Sequence, residues 1–170
     1  MAIYEGLIPE LENEAATTRK FFERLPEDKL DFKPHEKSMT LGRLAGHIAE
    51  MAGWGAVTLQ TEELDMSPAG GGGRPFEPLV AKSSKQLLEA FDKGIADFKA
   101  ALPKTSDQDF MKPWTLLSGG KVFFTMPKIS VIRSMVMNHI VHHRAQLGVY
   151  YRLNNVPVPA SYGPSADDGR

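Results

Sequence analysis

The stretch LGRLAGHIAEM, residues 41–51, carries the reading of the fold. Leu41, Leu44, Ile48 and Met51, continued by Gly55, recur at intervals of three and four, the spacing of one face of an α-helix. Ala45, Gly46, Ala49, Ala52 and Gly53 keep the flanks of that face small, so that another helix can approach closely. One residue breaks the pattern. His47 lies between Leu44 and Met51, an imidazole where an aliphatic side chain is expected. The periodicity predicts a helix from Thr40 to Glu63, with the hydroxyl of Ser38 or Thr40 as N-cap.

Three further segments repeat the helical period. Leu7, Leu11, Ala15, Thr18, Phe22 and Leu25 predict a first helix over Tyr4–Leu25, stopped by Pro26. A polar link, Pro26–His35, leads to the second. After it, Ser67–Pro78 holds four consecutive glycines at 70–73 and prolines at 68, 75 and 78, which reads as a long crossover. No Gly-Lys-Ser/Thr follows those glycines and no strand precedes them, so a phosphate-binding loop is not expected. Leu87, Phe91, Ile95 and Phe98 predict a third helix over Ser83–Leu102, capped by Ser83 or Ser84 and closed by Pro103. Residues 110–127 differ: two β-rich runs flank Ser118, Gly119 and Gly120, the mark of a short hairpin. A fourth helix is predicted over Lys128–Leu153, followed by a tail, 156–170, rich in Pro, Gly, Ser and Asp. The fold class expected is all-α: a single-domain four-helix bundle over residues 1–170, with long crossover loops and a short β-hairpin between helices 3 and 4. The links 26–35 and 67–82 are long enough for parallel neighbours.

Composition narrows the function classes. A chain of 170 residues with 42% hydrophobic and 24% charged residues suits one globular domain with a real core. A formal net charge of -1 gives no basic surface for nucleic acid or anionic membrane. No cysteine is present, so disulfide, CxxC and thiolate metal chemistry are excluded; a reacting thiol would have to arrive with a substrate or cofactor. The N-terminal residues lack the pattern of a secretory signal and no apolar run is long enough to span a bilayer, so a cytoplasmic protein is expected.

The histidines carry the chemistry. His139 and His143 are four residues apart within NHIVHHRAQ, residues 138–146. At about 100° per residue they point within about 40° of each other, one turn apart, and can converge on one ion. They share a stripe with Ile132, Met135, Val136 and Leu147, so both replace core residues. Buried imidazoles without partners cost about 1–3 kcal/mol per unsatisfied group, and His47 poses the same demand from the second helix. Three neutral imidazoles suit Zn, Ni, Fe or Co rather than Mg or Ca, and three protein ligands leave a position open. A carboxylate-bridged di-iron site is excluded because Lys128–Leu153 contains no Asp or Glu. Glu50, one turn beyond His47, reads as a fourth ligand, an acceptor for an imidazole N–H, a general base or a solvated residue. Gln146 falls near the His139 face and could bond a coordinated water; its alternative is an ordinary helix-end residue. His142 falls beside the stripe, His35 reads as a surface residue, and Trp54 and Trp114 read as packing residues.

LGRLAGHIAE (41–50) and NHIVHHRAQL (138–147) resemble the two signatures of the DinB/YfiT-like superfamily. PEDKLDFKP (26–34) is similar to its usual lead-in, and VPVPASYGPSAD (156–167) to the tail of the damage-inducible DinB branch. The resemblance implies a four-helix bundle holding one divalent ion, nickel or zinc, on His47, His139 and His143, and frequent homodimers. It also implies chemistry with low-molecular-weight thiols, since the superfamily includes thiol-dependent S-transferases and isomerases, besides members proposed as hydrolases. Ala145 stands where the family often has glycine.

Three functional readings follow. The first is a metal-dependent enzyme of S-transferase or hydrolase type, acting on an unknown small molecule, with Glu50 and Gln146 as candidate catalytic helpers. The second is a non-catalytic metal-binding or stress-response scaffold. The third is a metal-free bundle whose histidines bond one another.

Overall fold

The computed structural model describes residues 2–68 and 76–168; the four glycines of the crossover lie outside the described residues. Helix α1 (Ile3–Glu23) is followed by a separate 3-10 turn at Glu27–Lys29, and α2 (Leu41–Gln60) begins where the hydroxyl of Thr40 accepts the Arg43 N–H. Ser83 caps α3 (Ser84–Ala101) in the same way, accepting from the Gln86 N–H. A 3-10 turn, Leu102–Lys104, and a single turn of helix, α4 (Asp107–Phe110), lead to the sheet. The fourth long helical run has three parts: α5 (Lys128–Ser130), a π-helical segment (Val131–Met137) and α6 (Asn138–Leu153).

Helix α2 packs on α3 and α6, and α1 packs on the same two. Phe22, Leu41, Leu44, Ile48, Phe91, Phe98, Ile132, Val136, Leu147 and Tyr151 fill the interior between them. Each such side chain contributes about 1.5–3 kcal/mol by leaving water. The small residues of α2 bring its neighbours close. A Cβ added at Gly46 would lie 2.0 Å from the Leu79 carbonyl oxygen, and one at Gly55 2.3 Å from the Phe98 ring.

The expectation of an all-α chain gives way to a mostly helical fold with a three-stranded sheet, in the order β1 (Glu63–Asp65), β2 (Pro113–Ser118), β3 (Lys121–Pro127). The expected hairpin is present: β2 and β3 pair antiparallel, with Trp114 opposite Met126 and Leu116 opposite Phe124. Gly119 and Gly120 turn the chain with φ of 60° and 75°, which favours glycine at both positions of a tight hairpin turn. The third strand was not legible. The second helix, expected to reach Glu63, stops at Gln60, and Glu63–Asp65 instead pairs parallel with β2. The carboxylate of Asp65 accepts from the N–H groups of Ser67, Gly119 and Gly120, tying the hairpin turn to the end of β1; these bonds hold its pKa below the usual carboxylate value. Lys128 donates to the Leu59 carbonyl from a buried position, supplying the cation that the last turn of α2 lacks in its own sequence. Trp114, Leu116 and Val131 form a second small core where the sheet meets the helices.

The tail lies against the helices. Val156 and Val158 pack on the main core, and Asp167 accepts from Arg152 and from the Val158 N–H.

Candidate metal centre

Two helices present the histidines, and each is held in rotation by contacts on its other faces. On α2, the backbone of residues 79–81 lies across Gly42 and Gly46, with the Ala81 N–H on the Gly42 carbonyl. On α6, Arg144 is 2% exposed and pairs with Glu14 of α1, Nη2 to Oε2 at 2.7 Å, while its Nη1 donates to the Glu14 carbonyl and the Thr18 hydroxyl. The Tyr151 hydroxyl donates to the Phe21 carbonyl at 2.6 Å. With Arg144 fixed towards α1, its neighbour His143 is turned towards α2.

The three predicted ligands meet. One ring nitrogen of each of His47, His139 and His143 lies within 4.8 Å of the others. The ring centroids are 5.1 Å apart for His47 and His139, 4.8 Å for His47 and His143, and 4.5 Å for His139 and His143. Among the described residues, no other group of three or more His, Asp or Glu side chains could share an ion.

The opposite nitrogen of each ring has its own partner. His47 Nδ1 faces Glu50 Oε2 at 3.2 Å, His139 Nδ1 faces the Met135 carbonyl at 3.2 Å, and His143 Nδ1 faces Gln146 Oε1 at 2.7 Å. An acceptor at Nδ1 fixes the tautomer that carries its proton there and leaves a lone pair on Nε2. A carboxylate and a main-chain carbonyl can only accept, so for His47 and His139 the assignment is forced. The Nε2 atoms of His139 and His143 approach to 2.7 Å. Two lone pairs at that separation repel unless a cation or a proton stands between them. Turning over the Gln146 amide would let His143 donate to His139, whereas His47 Nε2, which is not sealed from solvent, would take no partner from the described residues. The donor set therefore fits a divalent ion with nitrogen ligands. Burial pushes the His143 pKa down to about 4 and also lowers that of His139, with the neighbouring imidazoles adding to the effect, so both rings are neutral at pH 7.

Glu50 is not the solvated residue that one reading allowed. Its side chain is 8% exposed, and both oxygens are engaged: Oε2 with His47 and with Arg43 at 3.1 Å, Oε1 with the Leu79 N–H. Gln146 sits behind His143 rather than facing the shared nitrogens, and its Nε2 contacts His142 at 3.1 Å. His142 and His35 are exposed. Trp114 is fully buried and donates to the Thr61 hydroxyl, as a packing residue should; Trp54 is half-buried beside the histidines. Sequence reading missed Arg43 and the Met135 carbonyl. Arg43 lies two turns before Glu50 on the same face, a spacing that could have revealed it. The Met135 carbonyl lies within the π segment, in which Asn138 N–H bonds the Arg133 carbonyl five residues back. No side-chain pattern announces that.

The chain is similar to known proteins along most of its length. The model of the DinB superfamily matches residues 10–147. A protein of Bacillus subtilis (strain 168) named YrdA, itself uncharacterized, is 27% identical over 157 residues, covering 92% of this chain and 86% of its own. A crystal structure of a DinB-like protein from Bacillus cereus ATCC 10987 superimposes with a TM-score of 0.67 at 24% identity, covering 95% of this chain and 98% of the other. The DinB-like protein YjoA of Bacillus subtilis gives 0.65 at 17% identity, covering 92% and 97%. At these identities the two crystal structures speak for the fold alone.

Proposed function

The chain belongs to the DinB superfamily, and from that premise we propose that it is a metal-dependent enzyme acting on a small molecule, of thiol-dependent S-transferase or hydrolase type. His47, His139 and His143 would hold one divalent ion, nickel or zinc. Bound there, the ion supplies Lewis acidity at its open positions. The observation that carries this reading is the convergence of three rings: one nitrogen of each lies within 4.8 Å of the others, while each Nδ1 faces a partner of its own. The chain's own residues do the positioning. Glu50 orients His47 and strengthens it as a donor, and Arg43 balances the Glu50 charge. Three neutral imidazoles leave a divalent ion's charge uncompensated, so an anionic group such as a thiolate is the favoured exchangeable partner. Since the chain has no cysteine, that thiolate comes from a low-molecular-weight thiol.

On this reading residues 1–170 form one domain, the four long helical runs form a four-helix bundle, and the protein works as a cytoplasmic homodimer without nucleic acid. Among the described residues no helix is long and apolar enough to cross a membrane. The competing reading, a non-catalytic metal-binding or stress-response scaffold, shares the ligands and differs in lacking turnover.

Elemental analysis of protein purified without a polyhistidine tag tests the metal. The expected result is about one nickel or zinc per chain in the wild type, and less than a tenth of that in His139→Ala. Wild-type protein that stays metal-free after reconstitution would overturn the proposal. A screen for thiol transfer and for hydrolysis then separates enzyme from scaffold.

A further inference from the structure

A recessed cavity of about 170 Å³ opens beside the histidines, with His47 and His139 as one wall. The rest of its lining is apolar and comes from four places in the chain: Met51 and Trp54 of α2, Met66 and Phe76 from the flanks of the crossover, Leu116 of β2, and Met135 of the π segment. The sheet is what closes it. Leu116 is buried in the small core under β2, and Met66 is held there by its N–H on the Leu117 carbonyl, with Phe76 bonded to the Met66 carbonyl in turn. Trp54 and Phe76 meet edge to face with centroids 6.4 Å apart, giving the cavity an aromatic corner.

We infer that this cavity is the binding site for an apolar group, phenyl-sized or a short branched alkyl, carried by the small molecule whose polar end reaches the ion. The inference rests on the metal reading above. Three features of the site support it. A cavity of about 150 Å³ lined by aliphatic and aromatic side chains stays dry and takes up benzene, so a six-membered ring matches the space. Three methionine side chains adapt to an irregular guest, and their sulfurs favour aromatic edges. Among the described residues, the lining beyond the two imidazoles offers no charged side chain, so a carboxylate, phosphate or sugar lodged there would lose its hydration without compensation from them. The apolar end of the substrate is therefore fixed here, and the thiol or leaving group lies on the side away from it.

The test uses the full chain loaded with Co(II), whose visible spectrum reports the ion directly, titrated with acetohydroxamate and with benzohydroxamate. Benzohydroxamate is expected to bind at least about tenfold more tightly, since only its ring gains by burial. In Met66→Phe, which fills the cavity from its rim and touches no ligand, the preference should fall below about threefold while the cobalt spectrum is unchanged. A second variant, Met135→Phe, fills it from the π segment should the first fold poorly. Equal affinities in the wild type, with cobalt bound, would overturn the apolar site and leave the metal reading standing. Absence of the cobalt spectrum would overturn both.

Discussion

Glu50 shows how much one side chain can organise. Its carboxylate joins a ligand ring, a guanidinium and the backbone of residue 79, so it couples the histidine centre to the segment crossing α2. Glu50→Gln keeps the shape but loses the charge that fixes the His47 tautomer. Metal affinity should drop about 10- to 100-fold with the far-ultraviolet spectrum unchanged, as measured by competition with a chelator. An affinity within twofold of wild type would show that Glu50 acts on the fold alone. Arg144 is the other pivotal residue. Truncating it to Met strands the buried Glu14 carboxylate, and urea denaturation should register a loss of about 3–5 kcal/mol. A loss below about 1 kcal/mol would mean that water reaches the carboxylate and that the pair does not hold α6 in place.

At the scale of elements, the small face of α2 and the π segment matter most. Gly46 admits the backbone at Leu79, and no side-chain adjustment can make room there because the opposing atoms are main chain. Gly46→Ala should therefore displace residues 79–81, destabilise the fold by about 1–3 kcal/mol, and weaken metal binding through Glu50, which donates nothing but accepts from Leu79. A thermal unfolding curve and a chelator titration on the same sample check both halves; a variant as stable as wild type would place the close approach elsewhere. The π segment runs up to the residue before Asn138, and the Met135 carbonyl within it faces the His139 imidazole Nδ1. The same segment turns the Met135 side chain to the apolar cavity. One local irregularity thus serves both the ligand and the pocket wall.

At the scale of the molecule, the tail fastens the outer ends together. The Tyr162 hydroxyl donates to the Glu14 carboxylate at 2.9 Å and accepts from Arg144 at 3.0 Å, with the guanidinium 5.5 Å from its ring centroid. Desolvation of the hydroxyl where it meets Glu14 and Arg144, followed by the bond to Glu14, raises the Tyr162 pKa above its ordinary value near 10, although most of the side chain is exposed. The unfolded chain therefore gives up this proton first as pH rises. The contribution of Tyr162 is fully present below pH 10 and is lost as pH climbs through the raised value. Limited proteolysis should find the tail protected in neutral buffer and progressively exposed above pH 10. In Tyr162→Phe the tail should already be cut faster at neutral pH, with a weaker alkaline dependence. Cleavage rates identical in the two proteins would show that the hydroxyl does not hold the tail.

The sequence by itself determined the long helical runs, a hydroxyl cap for the second and third of them, the hairpin turn at Gly119 and Gly120, and the shared face of His139 and His143, because each is written in local spacing or local backbone preference. An i,i+4 pair faces one way on any helix, and glycine at positive φ needs no distant partner. Only the tertiary structure decided the parallel strand at Glu63–Asp65, the engagement of Glu50 with Arg43 and Leu79, the turn of Gln146 behind His143, and the cavity beside His47. These depend on atoms that meet across long separations in the chain, where pairing is set by packing and by the need to satisfy buried polar groups. No local pattern records which partner arrives.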